Sequence, residues 1–156
     1  RSSNWSAFGS HEMKTFSESA SDAEIKRLVA EWSELMARKE FSAALEMFQC
    51  DPDALFTAEQ LEEWLSSYGY DEALPDGARY EVTTLLGRPD ADEIVETKIE
   101  VDRKNLYGLD PGTYVGRVHF DDIPLNGERS DLTARFNIRK AGSGLLTLEL
   151  YAINVM

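Results

Sequence analysis

The spacing of the apolar residues changes once along this chain, and that change limits the possible fold more than any other feature. From Ile25 to Tyr68 they recur at helical spacing, and from Tyr80 to the end they fall on alternate positions. Helices confined to the first half and strands to the second predict an α+β fold, with N-terminal helices packed on an antiparallel sheet.

The helical half is punctuated by its own start signals. Ser21-Asp22-Ala23-Glu24 is a capping box, in which the Ser and Glu side chains satisfy orphan amides reciprocally. Ile25, Leu28, Val29, Trp32, Leu35 and Met36 then form one continuous stripe. After a break near Arg38-Lys39-Glu40, the shorter series Phe41, Ala44, Leu45 and Phe48 predicts a second helix. Thr57 and Gln60 form another box, and Phe56 with Leu61 is spaced as a hydrophobic staple. The third stripe is Leu61, Trp64, Leu65 and Tyr68, with Gly69 placed to end it.

The alternating half predicts strands at Tyr80–Leu86 and Val95–Val101, separated by the turn-rich GRPDAD. A meander over Thr113–Phe120, Asp131–Ile138 and Leu145–Val155 follows the loop Asn105–Gly112. The expected inward sets are Tyr114/Gly116/Val118/Phe120, Leu132/Ala134/Phe136/Ile138 and Leu146/Leu148/Leu150/Ala152. Keeping the last two in register calls for an odd-length turn within Ala141–Gly144, which sets Arg135 opposite Glu149 and Asn137 opposite Thr147. In the final strand Leu145, Tyr151, Ile153 and Val155 alternate with the inward leucines. A strand apolar on both faces calls for a cover, most simply a second copy of the chain.

A length of 156 residues suits one domain. Residues 1–12, RSSNWSAFGSHE, lack periodicity and precede a natural-looking start at Met13, so they read as a segment added for expression, leaving 13–156 as one α+β domain. No apolar run approaches the roughly 20 residues that span a bilayer. The single cysteine, Cys50, fits a reducing, cytoplasmic setting and reads as a small packed hydrophobe.

The net charge of −13 is unevenly placed: residues 40–78 hold ten acids and no base. Such a field repels nucleic acid and anionic membranes and attracts basic proteins. The densest part, DPDALFTAEQLEEWLSSYGYDE, lacks the spacing of a calcium loop, and the chain has no Cys or His pairs at zinc-ligand spacing, so no metal or cofactor is expected. Glu59, Glu62 and Glu63 share a helix with a buried stripe and should face solvent. With Asp71 and Glu72 they are the candidate partner-binding residues.

The stretch RLVAEWSELMARKEFSAALEMF, followed by a second amphipathic helix and then strands, resembles the opening of the nuclear-transport-factor-2-like (cystatin-like) fold. That resemblance implies a strongly curved sheet forming a cone with helices across it. The C-terminal VHFDDIPLNGERSDLTARFNIRKAGSGLLTLELYAINVM resembles a family of uncharacterised bacterial domains, some found in immunity-protein contexts, and brings no catalytic residues with it.

Enzymes of the larger fold place acids and bases inside the cone, whereas the inward sets here are apolar apart from Tyr80 and Tyr114. Outside it, only His119 with Asp121 or Asp122 could form a catalytic group, and those aspartates also open a turn-rich loop. The expectation is therefore a non-enzymatic bacterial binding protein, an immunity-type inhibitor docking a basic protein through its acidic helix. The alternative is a small-molecule-binding or isomerase/lyase-type enzyme using the interior of the cone.

Overall fold

The computed structural model of the chain describes residues 13–50, 57–68, 77 and 79–155. Within these residues the chain runs β1 (Phe16–Ser17), α1 (Asp22–Ala37), α2 (Phe41–Met47), β2 (Gln49–Cys50), α3 (Ala58–Ser66), α4 (Ala91–Lys98), β3 (Ile99–Asp102), β4 (Tyr114–Phe120), β5 (Leu132–Gly142) and β6 (Leu145–Val155). The order β1-β6-β5-β4-β3 is antiparallel throughout, and β2 adds in parallel to β6. The sheet curls into a half-barrel with helices packed on it, so the α+β architecture read from the sequence is the one observed.

Both capping boxes form. Ser21 Oγ accepts from the Glu24 amide at 3.2 Å while Glu24 Oε1 accepts from the Ser21 amide at 3.4 Å. Thr57 and Gln60 make the same exchange at 3.0 Å in each direction. The α1 stripe then buries Ile25, Val29, Trp32 and Met36 against the concave side of the sheet, where the Trp32 ring meets Phe136 edge-on at 5.1 Å. Phe48, just past α2, contacts the same Phe136 at 6.0 Å. Large side chains removed from water in this way each contribute about 1.5–3 kcal/mol.

Between Tyr80 and Leu86 no strand forms; the described backbone makes one isolated bridge, Val82 with Leu125. The reason is competition for its amides. The Glu34 carboxylate on α1 accepts from the N–H groups of Leu85 (2.8 Å) and Leu86 (3.3 Å) and from the Thr84 hydroxyl (2.6 Å). Asn126 Oδ1 takes the Glu81 amide at 3.1 Å. With their donors satisfied by side chains, these residues gain nothing from a ladder, and Val82 and Leu85 become the buried pair.

The expected strand Val95–Val101 is likewise half helix. Ala91 and Ile94, three apart, bury one face of α4, with Asp92 and Glu93 in its first turn and Lys98 in its last, the charge order that suits the helix dipole. Only Ile99 and Val101 continue into β3.

Three bulges revise the predicted sheet faces. The register shifts between Tyr114 and Gly116, so Tyr114 pairs with Arg139 on the convex face instead of pointing inward with Gly116. Gly116 has no room for a side chain, since a Cβ there would lie 2.7 Å from the Asp102 carbonyl and 3.0 Å from Ile138 Cδ1. A second shift leaves Tyr151 unpaired between Ala152 and Leu150, and the parity of β6 flips. Ile153 turns inward opposite Ala134 and is buried, whereas Ala152, expected inside, is only half-buried. The apolar alternation that suggested a second copy on the outer face therefore faces the core at this end of the strand. The third shift, at Ala141, precedes a two-residue Ser143-Gly144 turn and not the odd-length one expected. Asn137 consequently pairs with Glu149, Arg139 with Thr147 and Arg135 with Ala152, replacing the predicted Arg135–Glu149 and Asn137–Thr147 pairs.

The staple residue Phe56 and the helix stop Gly69 lie outside the described residues, as do residues 1–12. Where α3 ends, the left-handed residue is Tyr68, at φ 55°.

Candidate functional site

At about 100° per residue, Glu59, Glu62 and Glu63 occupy one arc of α3 opposite Leu61 and Leu65. All three glutamates are exposed and both leucines are buried. Among the described residues no basic side chain pairs with these carboxylates. Asp71 and Glu72, the other two proposed contact residues, lie outside the described residues.

The His119 group is only partly assembled. His119 Nε2 stands 3.4 Å from Glu100 Oε2 on the neighbouring strand and 3.7 Å from Asp121 Oδ2, and Asp121 Oδ1 accepts from the Thr133 hydroxyl at 3.3 Å. Asp122 does not join them. Its backbone is left-handed, and its carboxylate meets Lys98 at 3.3 Å and Arg129 at 3.4 Å. His119, partly exposed on the convex face, thus sits in a surface row of polar cross-strand side chains. Among the described residues, no three His, Cys, Asp or Glu side chains converge as a metal set.

A polar constellation that sequence reasoning missed lies across β4, β5 and β6. The Tyr114 hydroxyl donates to Glu149 Oε1 at 2.8 Å, and Arg139 Nη1 donates to Glu149 Oε2 at 2.6 Å and to the Tyr114 oxygen at 3.2 Å. Asn137 Nδ2 completes the set, 3.4 Å from Glu149 Oε1. The Arg139 guanidinium also lies 5.6 Å from the Tyr114 ring centroid. Glu149 is only 4% exposed, so its charge is held by protein groups and not by water. Burial, then the hydrogen bond to Glu149 and its negative charge, push the Tyr114 phenol above its usual range, against the opposing pull of Arg139. The network braces three strands, and its visible clue, Asn137 and Arg139 near Glu149, depended on a register that the bulges decide.

A second feature gathers around the end of α3. Tyr68 and Tyr80 stack with ring centroids 4.8 Å apart and 28° between planes. They line an open cleft of about 630 Å³ whose other wall is the loop between β4 and β5. An adjoining cleft of about 320 Å³ shares Tyr80 and Asn126 and extends to Glu62 on α3. The loop is shaped by an Asn126-Gly127 turn with positive φ at both residues, closed by reciprocal Leu125–Glu128 backbone hydrogen bonds. Neither His119 nor Asp121 lines these clefts.

No family model, curated protein or solved structure matches the chain.

Proposed function

We propose that the chain is a non-enzymatic bacterial binding protein of the immunity type, which docks a basic protein through the acidic face of α3. The observation that carries this reading is the arc of Glu59, Glu62 and Glu63, which has no basic partner among the described residues and is backed by buried Leu61 and Leu65. Like charges held together on a rigid element steer an oppositely charged partner more than they bind it, so they act first on the association rate. Asp71 and Glu72 would extend the same field. The net charge of −13 argues against nucleic acid and anionic membranes as partners. Among the described residues no helix is long and apolar enough to cross a membrane, and a cytoplasmic setting accords with the single cysteine.

The curved sheet under α1 and α2 suits the proposed nuclear-transport-factor-2-like cone, but its concave side offers little to an enzyme. The inward positions of β4, β5 and β6 are apolar and packed, and Tyr114, expected among them from the sequence, faces the other way. The Ser33 hydroxyl on α1, buried without a partner among the described residues, is a polar group that an interior ligand could use. It keeps the isomerase or lyase alternative open to test.

The experiment is a joint charge reversal, Glu59→Lys, Glu62→Lys and Glu63→Lys. The helix should survive, because exposed Glu and Lys have nearly equal propensity. Association with a basic protein captured by the wild type should slow by about tenfold or more at low salt, and the wild-type rate should fall as ionic strength shortens the Debye length. Equal rates for wild type and variant at low salt would reduce the acidic arc to a solvated helix face.

A further inference from the structure

We propose that the cleft walled by the Tyr68–Tyr80 stack receives an arginine side chain of the basic partner. This inference rests on the docking reading and names the group that the docking surface grips.

The first argument is the aromatic pair. Both rings line the cleft, and the π face that each stacked ring leaves uncovered by the other suits guanidinium best among biological cations, since it is planar, weakly hydrated and able to stack. The pair is held in place at some cost to the backbone. Tyr68 occupies the left-handed position just past α3, where glycine is usual, and its hydroxyl accepts from the Asp131 amide at 3.3 Å. The Tyr80 amide in turn donates to the Ser66 carbonyl at 3.0 Å, which pins that ring beside the helix end.

The second argument is charge left over on the cleft wall. Asp122 is already committed to Arg129 and Lys98. Glu128 and Asp131 also line the cleft, and among the described residues neither carboxylate has a basic partner. A cation entering beside the rings therefore meets two uncompensated carboxylates, one of them on the residue whose amide already holds Tyr68. Arg129 lines the same cleft, its guanidinium 3.4 Å from Asp122, so the wall holds three carboxylates against one guanidinium and its excess charge favours a cation. Through Tyr80 and Asn126 the cleft adjoins the smaller one, which Glu62 of α3 lines together with Arg79 and with Lys39, itself paired with Glu81, so a partner seated here lies beside the acidic arc of α3.

The test uses the whole folded chain and N-acetyl-arginine methylamide as probe, followed by the NMR ring signals of Tyr68 and Tyr80. Both rings should shift saturably. The citrulline analogue, of the same shape but neutral, should bind about threefold more weakly, the scale of one exposed cation–π contact. Asp131→Asn, an exposed position whose change should leave the fold intact, should weaken the arginine probe, and Tyr80→Leu should remove its saturable response. Absence of saturable shifts, or an equal response to the citrulline analogue, would overturn the proposal. The variant Glu59→Lys/Glu63→Lys separates the two readings. It should slow association with a basic protein while leaving probe binding unchanged, so either result can fail without the other.

Discussion

At the scale of single residues, the most informative side chain is Tyr114. Sequence alternation put it inside the sheet, and one bulge moves it to the convex face, where its hydroxyl supplies one of the donors that hold buried Glu149. Replacing it with Phe leaves the carboxylate to Arg139 and Asn137, and Tyr114→Phe should lose about 1–3 kcal/mol at neutral pH, the cost of one buried acceptor losing its donor. The pH dependence has a definite sign. The folded phenol pKa is raised above its usual value of 10.0, so the contribution is fully present below about pH 10 and fades as pH climbs towards the folded value, because only the unfolded chain releases the proton. Denaturant titrations of wild type and Tyr114→Phe should therefore converge at alkaline pH. Parallel curves would mean that the phenol titrates normally in the fold.

At the scale of elements, the first three helices announced themselves because their signals are local, whereas α4, which has no side-chain cap, did not. A capping box needs four consecutive residues and a buried stripe needs one turn's spacing, and both held for α1 and α3. The strands did not, because strand identity is settled by partners distant in sequence. Tyr80–Leu86 has an adequate alternating pattern, yet the Glu34 carboxylate on α1 takes its amides first. Val95 and Thr97 read as strand until Ala91 and Ile94 are seen to bury a helix face with Val95 packed beside them. The junction of β3 and β4 offers a direct check on how tightly the sheet is closed. Gly116→Ala would drive a methyl into the Asp102 carbonyl and towards Ile138, so β3 must yield. A loss of about 1–3 kcal/mol is expected, as for other overpacked sites, with hydrogen exchange accelerated in β3 more than in β6. Unchanged exchange in β3 would show that the strands part without cost.

At the scale of the whole molecule, charge and shape are separated along the chain. Residues 40–78 carry ten acids without a base, while residues 113–156, which build most of the sheet, carry five of each sign. Among the described residues, the convex face of that sheet presents Arg117, His119 and Arg135 in cross-strand rows and not the apolar band that a covered strand would need. The chain should therefore sediment as a monomer at high micromolar concentration. A dimer that dissociates on Leu145→Glu would restore the outer face as a self-association surface, since Leu145 is an exposed aliphatic residue there, 42% accessible.

The positions of α1, α2 and α3, the α+β class, the buried stripe and the acidic arc of α3 were determined by residues a few places apart, because capping, amphipathic spacing and charge density are short-range properties. What only the tertiary structure decided turns on pairing across the chain. The bulges at Val115, Ala141 and Tyr151 set which face each later residue occupies, since one extra residue inverts a period of two. From that choice came the Tyr114–Arg139–Glu149 brace and the inward turn of Ile153. The Tyr68–Tyr80 cleft likewise appears only when the end of α3 is laid beside a segment whose strand pattern Glu34 and Asn126 had already dissolved.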